Sequence, residues 1–239
     1  MSSTSLSAEI QVRLAQVRAR IEAAASRSNR AVDEIKLIAV SKTHPAAVVR
    51  QAIEAGVTDL GENRVQEADS KIDEVGRDTA RWHLIGHLQS NKARRAVQLF
   101  DVIHSVDSIQ LAQRLDRACA DVERAALPVL IQVDLGQEAT KSGVDEQQLP
   151  ALIDSVREYE HIRLAGLMTL PPFFEDAELT RPFFVKLREL RDEYKRRGAF
   201  GDAPGELSMG MTHDFEVAIE AGATMVRIGT AIFGERQTR

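Results

Sequence analysis

The stretch KLIAVSKTHP, Lys36–Pro45, carries an apolar run straight into a polar turn and sets a lysine, Lys42, at the junction. KLIAV is short and apolar enough to be a buried strand, and Thr-His-Pro ends it at once. An ammonium at the end of a core strand costs free energy unless it is paired, solvated or neutral. What accompanies Lys42 therefore has to come from elsewhere in the chain.

Outward from this run the pattern repeats. Further β-like segments begin at Thr58 (TDLGE), Trp82 (WHLIGHL), Asp101 (DVIHSV), Pro128 (PVLIQVDL), Ile162 (IRLAGLMTL), Gly205 (GELSMGM) and Thr224 (TMVRIGTAIFG). Helical patterns separate them, over 45–55, 65–75, 91–99, 108–122, 145–158, 182–197 and 214–221, and another over 6–26 precedes the first strand. Eight strand–helix units without a break in composition predict one closed (β/α)₈ barrel of the TIM type rather than an open doubly wound sheet. The predicted organisation is a single α/β domain over 1–239, with a helix and lead-in over 1–35 and the barrel over 36–234. TDLGE is the least regular of the strands. The turn-rich PPFFEDAELTRP, Pro171–Pro182, reads either as a lid or as a long loop.

Composition narrows the function. With 239 residues, 44% hydrophobic and 28% charged, the chain is long enough for a substantial core. A net charge of −5 with interspersed signs argues against a nucleic-acid or membrane partner. Apolar runs fall far short of a bilayer span, and MSSTSLSAEI lacks the pattern of a secretory signal, so a cytoplasmic protein is expected. The single cysteine, Cys119, sits in a helical pattern and reads as a buried small hydrophobe. Neither a dinucleotide fingerprint nor a Walker loop is present.

In such barrels functional side chains gather where strands end. If Ile38 and Val40 point inward, period-two alternation sends Lys42 inward as well. The same count puts Met225, Arg227 and Gly229 on one face of the eighth strand, which closure makes a neighbour of the first. Two cations sharing a pocket need an anion, and the loops after strands seven and eight form the phosphate site of many barrels. Here Gly210 and Gly229 allow close backbone approach, and Ser208, Thr212 and Thr230 bring hydroxyls. Helix 214–221 would add free N–H groups. A lysine desolvated beside another cation has a lowered pKa, and a neutral amine forms a Schiff base with an aldehyde. An aldehyde that also carries a phosphate suggests pyridoxal 5′-phosphate.

AVSKTHP, GENRVQEA, WHLIGHLQSNK, HSVDS, GLMTL, SMGM and VRIGTAIFG occur in that order between Lys36 and Gly234. As a set they resemble the pyridoxal phosphate homeostasis protein family, whose barrel is related to the N-terminal barrel of alanine racemase and other fold-type III enzymes. The resemblance implies pyridoxal phosphate covalently bound on Lys42, Asn63 beside its ring and Arg227 facing the pyridine nitrogen. Ser208, Thr212, Gly229 and Thr230 match the positions expected around the phosphate. Thr212-His213 departs from the serine and second polar residue common in the family. The hydroxyl is kept, and the choice among Ser208, Met209 and Thr212 stays open.

A cation opposite the pyridine nitrogen disfavours its protonation and weakens the ring as an electron sink. Racemases tolerate that, but need acid–base groups on both faces of the substrate, and the racemase relatives take a tyrosine from a second β domain. This chain ends five residues after Gly234, and its two tyrosines, Tyr159 and Tyr194, lie on helical patterns. The expected function is storage, buffering or delivery of pyridoxal phosphate by a monomer without catalytic turnover, with apo-enzymes as recipients. The alternatives are a racemase or lyase of the same barrel and an aldolase-like phosphosugar enzyme.

Plainer readings stand beside several residues. His83 and His87 lie four apart, but Gly86 argues against a metal pair; structural or ligand-proximal roles fit both better, and His87 is counted among the cofactor-binding candidates. His104 reads equally as a mouth residue or as a hydrogen-bonded core histidine. Asn63 alone is a turn or cap residue, and Arg227 alone divides between salt bridge and ligand contact. Met168, Met209 and Met211 read as barrel filling, and Trp82 as packing. KLRELRDEYKRR reads as a solvated helix face.

Overall fold

Along Lys36–Val40 (β1) the side chains alternate between two environments. Leu37 and Ala39 pack outward against helices, whereas Ile38 joins a separate buried cluster with Val102, Leu130, Ala165, Met168 and Met225. That cluster fills the inside of a closed barrel, and the larger one fills the shell around it. The computed structural model describes residues 3–136 and 142–234.

The remaining strands follow in sequence order, β2 (Asp59–Glu62), β3 (Arg81–Leu84), β4 (Val102–Val106), β5 (Leu127–Gln132), β6 (Ile162–Met168), β7 (Glu206–Met211) and β8 (Met225–Ile228). All pair in parallel with their neighbours, and β8 pairs back onto β1, Lys36 with Met225 through Ala39 with Ile228. The barrel expected from the sequence is thus present, including TDLGE as β2. Around it lie α2 (Ala46–Glu54), α3 (Val65–Val75), α4 (Ala93–Leu99), α5 (Ile109–Asp121), α6 (Leu149–Arg157), α7 (Arg181–Arg196) and α8 (Phe215–Glu220). The preceding helix, α1 (Ser3–Arg27), packs on α8 through Ile10, Leu14, Val17 and Ile21, all buried. Each such side chain contributes roughly 1.5–3 kcal/mol of burial. Arg20–Glu216 and Arg27–Glu220 pairs stitch the same face at the surface.

The helix predicted over 145–158 begins only at Leu149 and PVLIQVDL is strand only to Gln132, but two segments depart furthest from their predicted form. WHLIGHL is strand only to Leu84, because Gly86 turns in against the backbone of Asn63, where a Cβ would come within 2.3 Å of the Asn63 oxygen. TMVRIGTAIFG is strand only to Ile228, and continues after Gly229 as a short helix, α9 (Thr230–Phe233). The β1–β8 ladder ends at Ala39 and Ile228, so the next residues have no paired edge to follow. Met168 fills the interior as expected, but Met209 packs in the outer shell and Met211 is 40% exposed. Cys119 is buried, and burial pushes its thiol up to about 11, an inert state. Trp82 is buried in the shell; its backbone N–H donates to Asp101 Oδ2 at 2.7 Å, while its indole N–H has no partner among the described residues. Among the described residues no helix is long and apolar enough to cross a membrane.

Gly166 on β6 lies opposite Glu206 on β7, and a Cβ there would sit 2.1 Å from the Glu206 carbonyl oxygen. Two paired backbones cannot separate cheaply. Gly166→Ala is therefore expected to destabilise the protein by about 3 kcal/mol, the upper end of overpacking costs, seen as a lower urea midpoint. A midpoint equal to that of the wild type would show that this strand pair is not tightly held.

Candidate functional site

Lys42 does not end its strand unsupported. β1 stops at Val40, and the following turn is gripped by a buried charge cluster built from β2 and α3. Ser41 Oγ donates to Glu62 Oε1 at 2.6 Å. Lys71 Nζ donates to the Ser41 carbonyl at 2.6 Å, to Glu62 Oε1 at 2.7 Å and to Glu67 Oε1 at 2.8 Å. Thr43 takes the left-handed conformation at φ 68° and donates its backbone N–H to Glu67. Glu62 is fully buried, and burial pushes its carboxyl up against the pull of Lys71. These contacts fix the backbone on both sides of Lys42. Of the three, Glu67 and Lys71 are spaced i, i+4 on one helix and so are visible in sequence; their reach to Ser41 is not.

The turn opens onto a cavity of about 610 Å³ at the C-terminal end of the barrel. Lys42, Asn63, His87, Thr212, Arg227, Gly229 and Thr230 all line it, so the geometry brings together seven of the nine residues singled out from the sequence. Ser208 and Met209 do not line it. Alternation explains both: Ser208 points into the barrel below the mouth, and Met209 points into the shell. Lining residues not singled out for the site from sequence include Gln132 and Asp214, and Met211, read there as barrel filling, lines the cavity as well. The loop 171–182 supplies one wall through Pro171–Phe174, with Phe173 tilted over His213 and Phe174 stacked on Phe183.

At the seam between β7 and β8 the donors are Thr212, the Gly229 N–H and Thr230, and Gly229 N–H donates to Thr212 Oγ1 at 3.4 Å. The helix expected from 214 starts at Phe215 and is only six residues long; the Asp214 side chain does not cap it but accepts the Met211 N–H at 2.7 Å. Burial pushes the Asp214 carboxyl up.

Arg227 is the floor of the cavity. Its guanidinium donates to Ser208 Oγ at 2.6 Å and to the Thr169 carbonyl at 2.9 Å. Burial pushes it down to about 10, with Asp214 acting against that. Beneath it His104 is a core histidine, the second of the two readings open from sequence. Its Nδ1 lies 2.9 Å from Ser208 Oγ and its Nε2 2.9 Å from His83 Nδ1, while His83 Nε2 lies 2.9 Å from Asp59 Oδ1. Burial works against the charge of Asp59, but hydrogen bonds from His83 and Thr58 outweigh it and hold the carboxyl below its usual range. Burial also holds both imidazoles below the ordinary 6.5, His104 well below. His87 stays at the rim, 3.4 Å from Asp107, and no cluster suited to a metal occurs among the described residues.

Two outcomes follow. Lys71→Met leaves the Glu62 carboxylate buried without its cation, and is expected to cost about 3–5 kcal/mol in urea unfolding. Adding Glu62→Gln should recover much of that loss; no recovery would mean that Lys71 acts by packing alone. Second, His83 and His104 are neutral in the fold but protonate in the unfolded chain once pH drops below 6.5. Stability is therefore fully present above that pH and falls below it, by up to about 1.4 kcal/mol per pH unit for each histidine. His104→Gln should flatten the decline, and an equally steep profile in that variant would remove His104 as its source.

Comparison with known proteins gives the family and the fold. Residues 12–237 match the family model for the alanine racemase N-terminal domain. The pyridoxal phosphate homeostasis protein of Aquifex aeolicus is 44% identical over 94% of this chain and 97% of its own length. The structure of PipY from Synechococcus elongatus with PLP bound is 39% identical, with a TM-score of 0.82 over 94% of this chain and 100% of PipY. Alanine racemase from Corynebacterium glutamicum, 17% identical, shares the fold with a TM-score of 0.67 over 95% of this chain and 62% of that enzyme. Near-full-length identity of this order, together with the family match, means that the chain belongs to the pyridoxal phosphate homeostasis protein family, on the barrel of the alanine racemase N-terminal domain.

Proposed function

We propose that this chain binds pyridoxal 5′-phosphate covalently through Lys42 and serves its homeostasis in the cytoplasm, storing, buffering or delivering it. The carrying observation is that Lys42, Arg227 and the Thr212–Gly229–Thr230 donors line one cavity from both sides of the β1–β8 seam. The residues fit the group: an amine for its aldehyde, hydroxyl and backbone donors for its phosphate, and a guanidinium for its ring nitrogen. When bound, pyridoxal phosphate supplies an aldehyde that condenses with a primary amine, with loss of water, and an electron-poor ring.

The chain's own residues favour holding over turnover. Arg227, a cation at the floor, disfavours a proton on the ring nitrogen it would face. Lys42 presents its amine from a turn braced by Lys71, Glu62 and Glu67. Asn63 and His87 would flank the ring, and Ser208 would act on it only through Arg227. Neither tyrosine lines the cavity, although a racemase needs proton-transfer groups on both faces of its substrate. The racemase or lyase reading retains one specific support, since His213 and Asp214 are both lining residues. A monomer that hands the cofactor to apo-enzymes is the expected working form, and sizing the protein in solution checks the first part of it.

Borohydride reduction followed by peptide mapping is expected to find the cofactor on the peptide containing SKTHP. Lys42→Ala should lose the absorbance of the bound cofactor and keep its fold; normal absorbance in that variant would refute the linkage. Incubation with D- and L-amino acids after removing free cofactor should give no sustained racemisation. Steady multiple turnovers would replace the carrier reading with an enzymatic one.

A further inference from the structure

Five side chains from five strands form one hydrogen-bonded file through the barrel interior, and of these only Arg227 lines the cavity. The two ends of the file fix the direction of every bond in it. An arginine only donates, so Ser208 Oγ accepts from Arg227 at 2.6 Å; with Asp59 ionised and both imidazoles neutral, its own proton goes to His104 Nδ1 at 2.9 Å. His104 then carries its proton on Nε2 and donates it to His83 Nδ1 at 2.9 Å. His83 in turn carries its proton on Nε2 and donates it to Asp59 Oδ1 at 2.9 Å. An ionised carboxylate only accepts, so the far end demands the same polarity. Apart from each other and Arg227, the charged groups acting on the two histidines are Asp59, Lys36 and Arg81.

We propose that Asp59, His83 and His104 are positioning residues that, through Ser208, orient the Arg227 guanidinium and set how strongly it acts on the ring of the bound ligand. This rests on the reading of the cavity as a pyridoxal phosphate site.

Polarity is what makes the file more than filling. With His104 Nδ1 unprotonated, the Ser208 hydroxyl turns its proton away from Arg227 and shows it a lone pair. If the file ran the other way, His104 would donate to Ser208, and the hydroxyl proton would have to turn elsewhere and compete with the guanidinium. The negative charge of Asp59 selects the first arrangement. Chained hydrogen bonds in a low-dielectric interior also strengthen one another, so that selection reaches Arg227 although Asp59 does not touch it. Two guanidinium N–H groups are thereby committed to Ser208 and Thr169, leaving the others of its five for the cavity.

The test has two arms. Imidazole ¹⁵N NMR of the cofactor-free protein should find His83 and His104 both protonated on Nε2; a proton on Nδ1 of either one overturns the proposal. Asp59→Asn keeps an acceptor but adds a donor, and is expected to release the tautomers. In protein loaded with pyridoxal phosphate, Asp59→Asn and Ser208→Ala should each shift the pH midpoint of the bound chromophore by about half a unit, a threefold change in its protonation constant. Ser208→Thr, which keeps the hydroxyl, should restore it. If Asp59→Asn does not fold, the Ser208→Ala and Ser208→Thr pair decides alone. Unchanged midpoints in variants that still label at Lys42 overturn this role by itself. Wild-type protein that never labels at Lys42 overturns the reading of the cavity, and with it the role assigned to these residues.

Discussion

Pairing between the first and last strands is the contact on which every other feature of the site depends. Because Lys36 to Ala39 run in register with Met225 to Ile228, Ile38 sits beside Arg227 and the two chain segments share one inner surface. The turn after β1 then faces the seam after β7 and β8, although nearly two hundred residues separate Lys42 from Thr230. A closed barrel leaves no strand edge unpaired, so the ladder itself holds the two halves of the cavity at a fixed distance. No side chain in the mouth has to supply that constraint.

Much of this arrangement was legible in the sequence. Short β-branched runs alternating with helical periods gave the barrel, since period two and period 3.6 are set by local geometry. Alternation plus closure brought Lys42 and Arg227 together without any long-range signal. Reasoning failed where alternation is interrupted. On β7 the register shifts between Ser208 and Met211, and Gly210 adopts a positive φ, so counting by twos could not separate Ser208, Met209 and Thr212. It also failed where partners meet across the barrel. Asp59, His83 and His104 each point inward from a different strand, and only the stagger of those strands puts their polar atoms in line. No spacing in the chain encodes that stagger.

The two buried polar systems divide the labour of the site. Lys71, Glu62 and Glu67 hold backbone, fixing the turn that carries Lys42 through the Ser41 carbonyl and the Thr43 N–H. The file beneath Arg227 holds a side chain. A buried ion pair is poor value as a source of stability compared with well-packed apolar residues, and its retention here is best understood as geometric. Glu62 illustrates this: its Oε1 receives both Ser41 and Lys71, while its Oε2 is buried with no partner among the described residues. Such a half-satisfied carboxylate is tolerated where it aligns something that packing alone would leave free.

Trp82, the sole tryptophan, lies in the outer shell and not in the mouth. Its fluorescence therefore senses the packing of strand against helix, and becomes water-quenched when that shell opens. A chromophore seated over Arg227 would reach the indole only through space, by resonance energy transfer. The indole and a chromophore bound at that floor would then read different layers of one barrel.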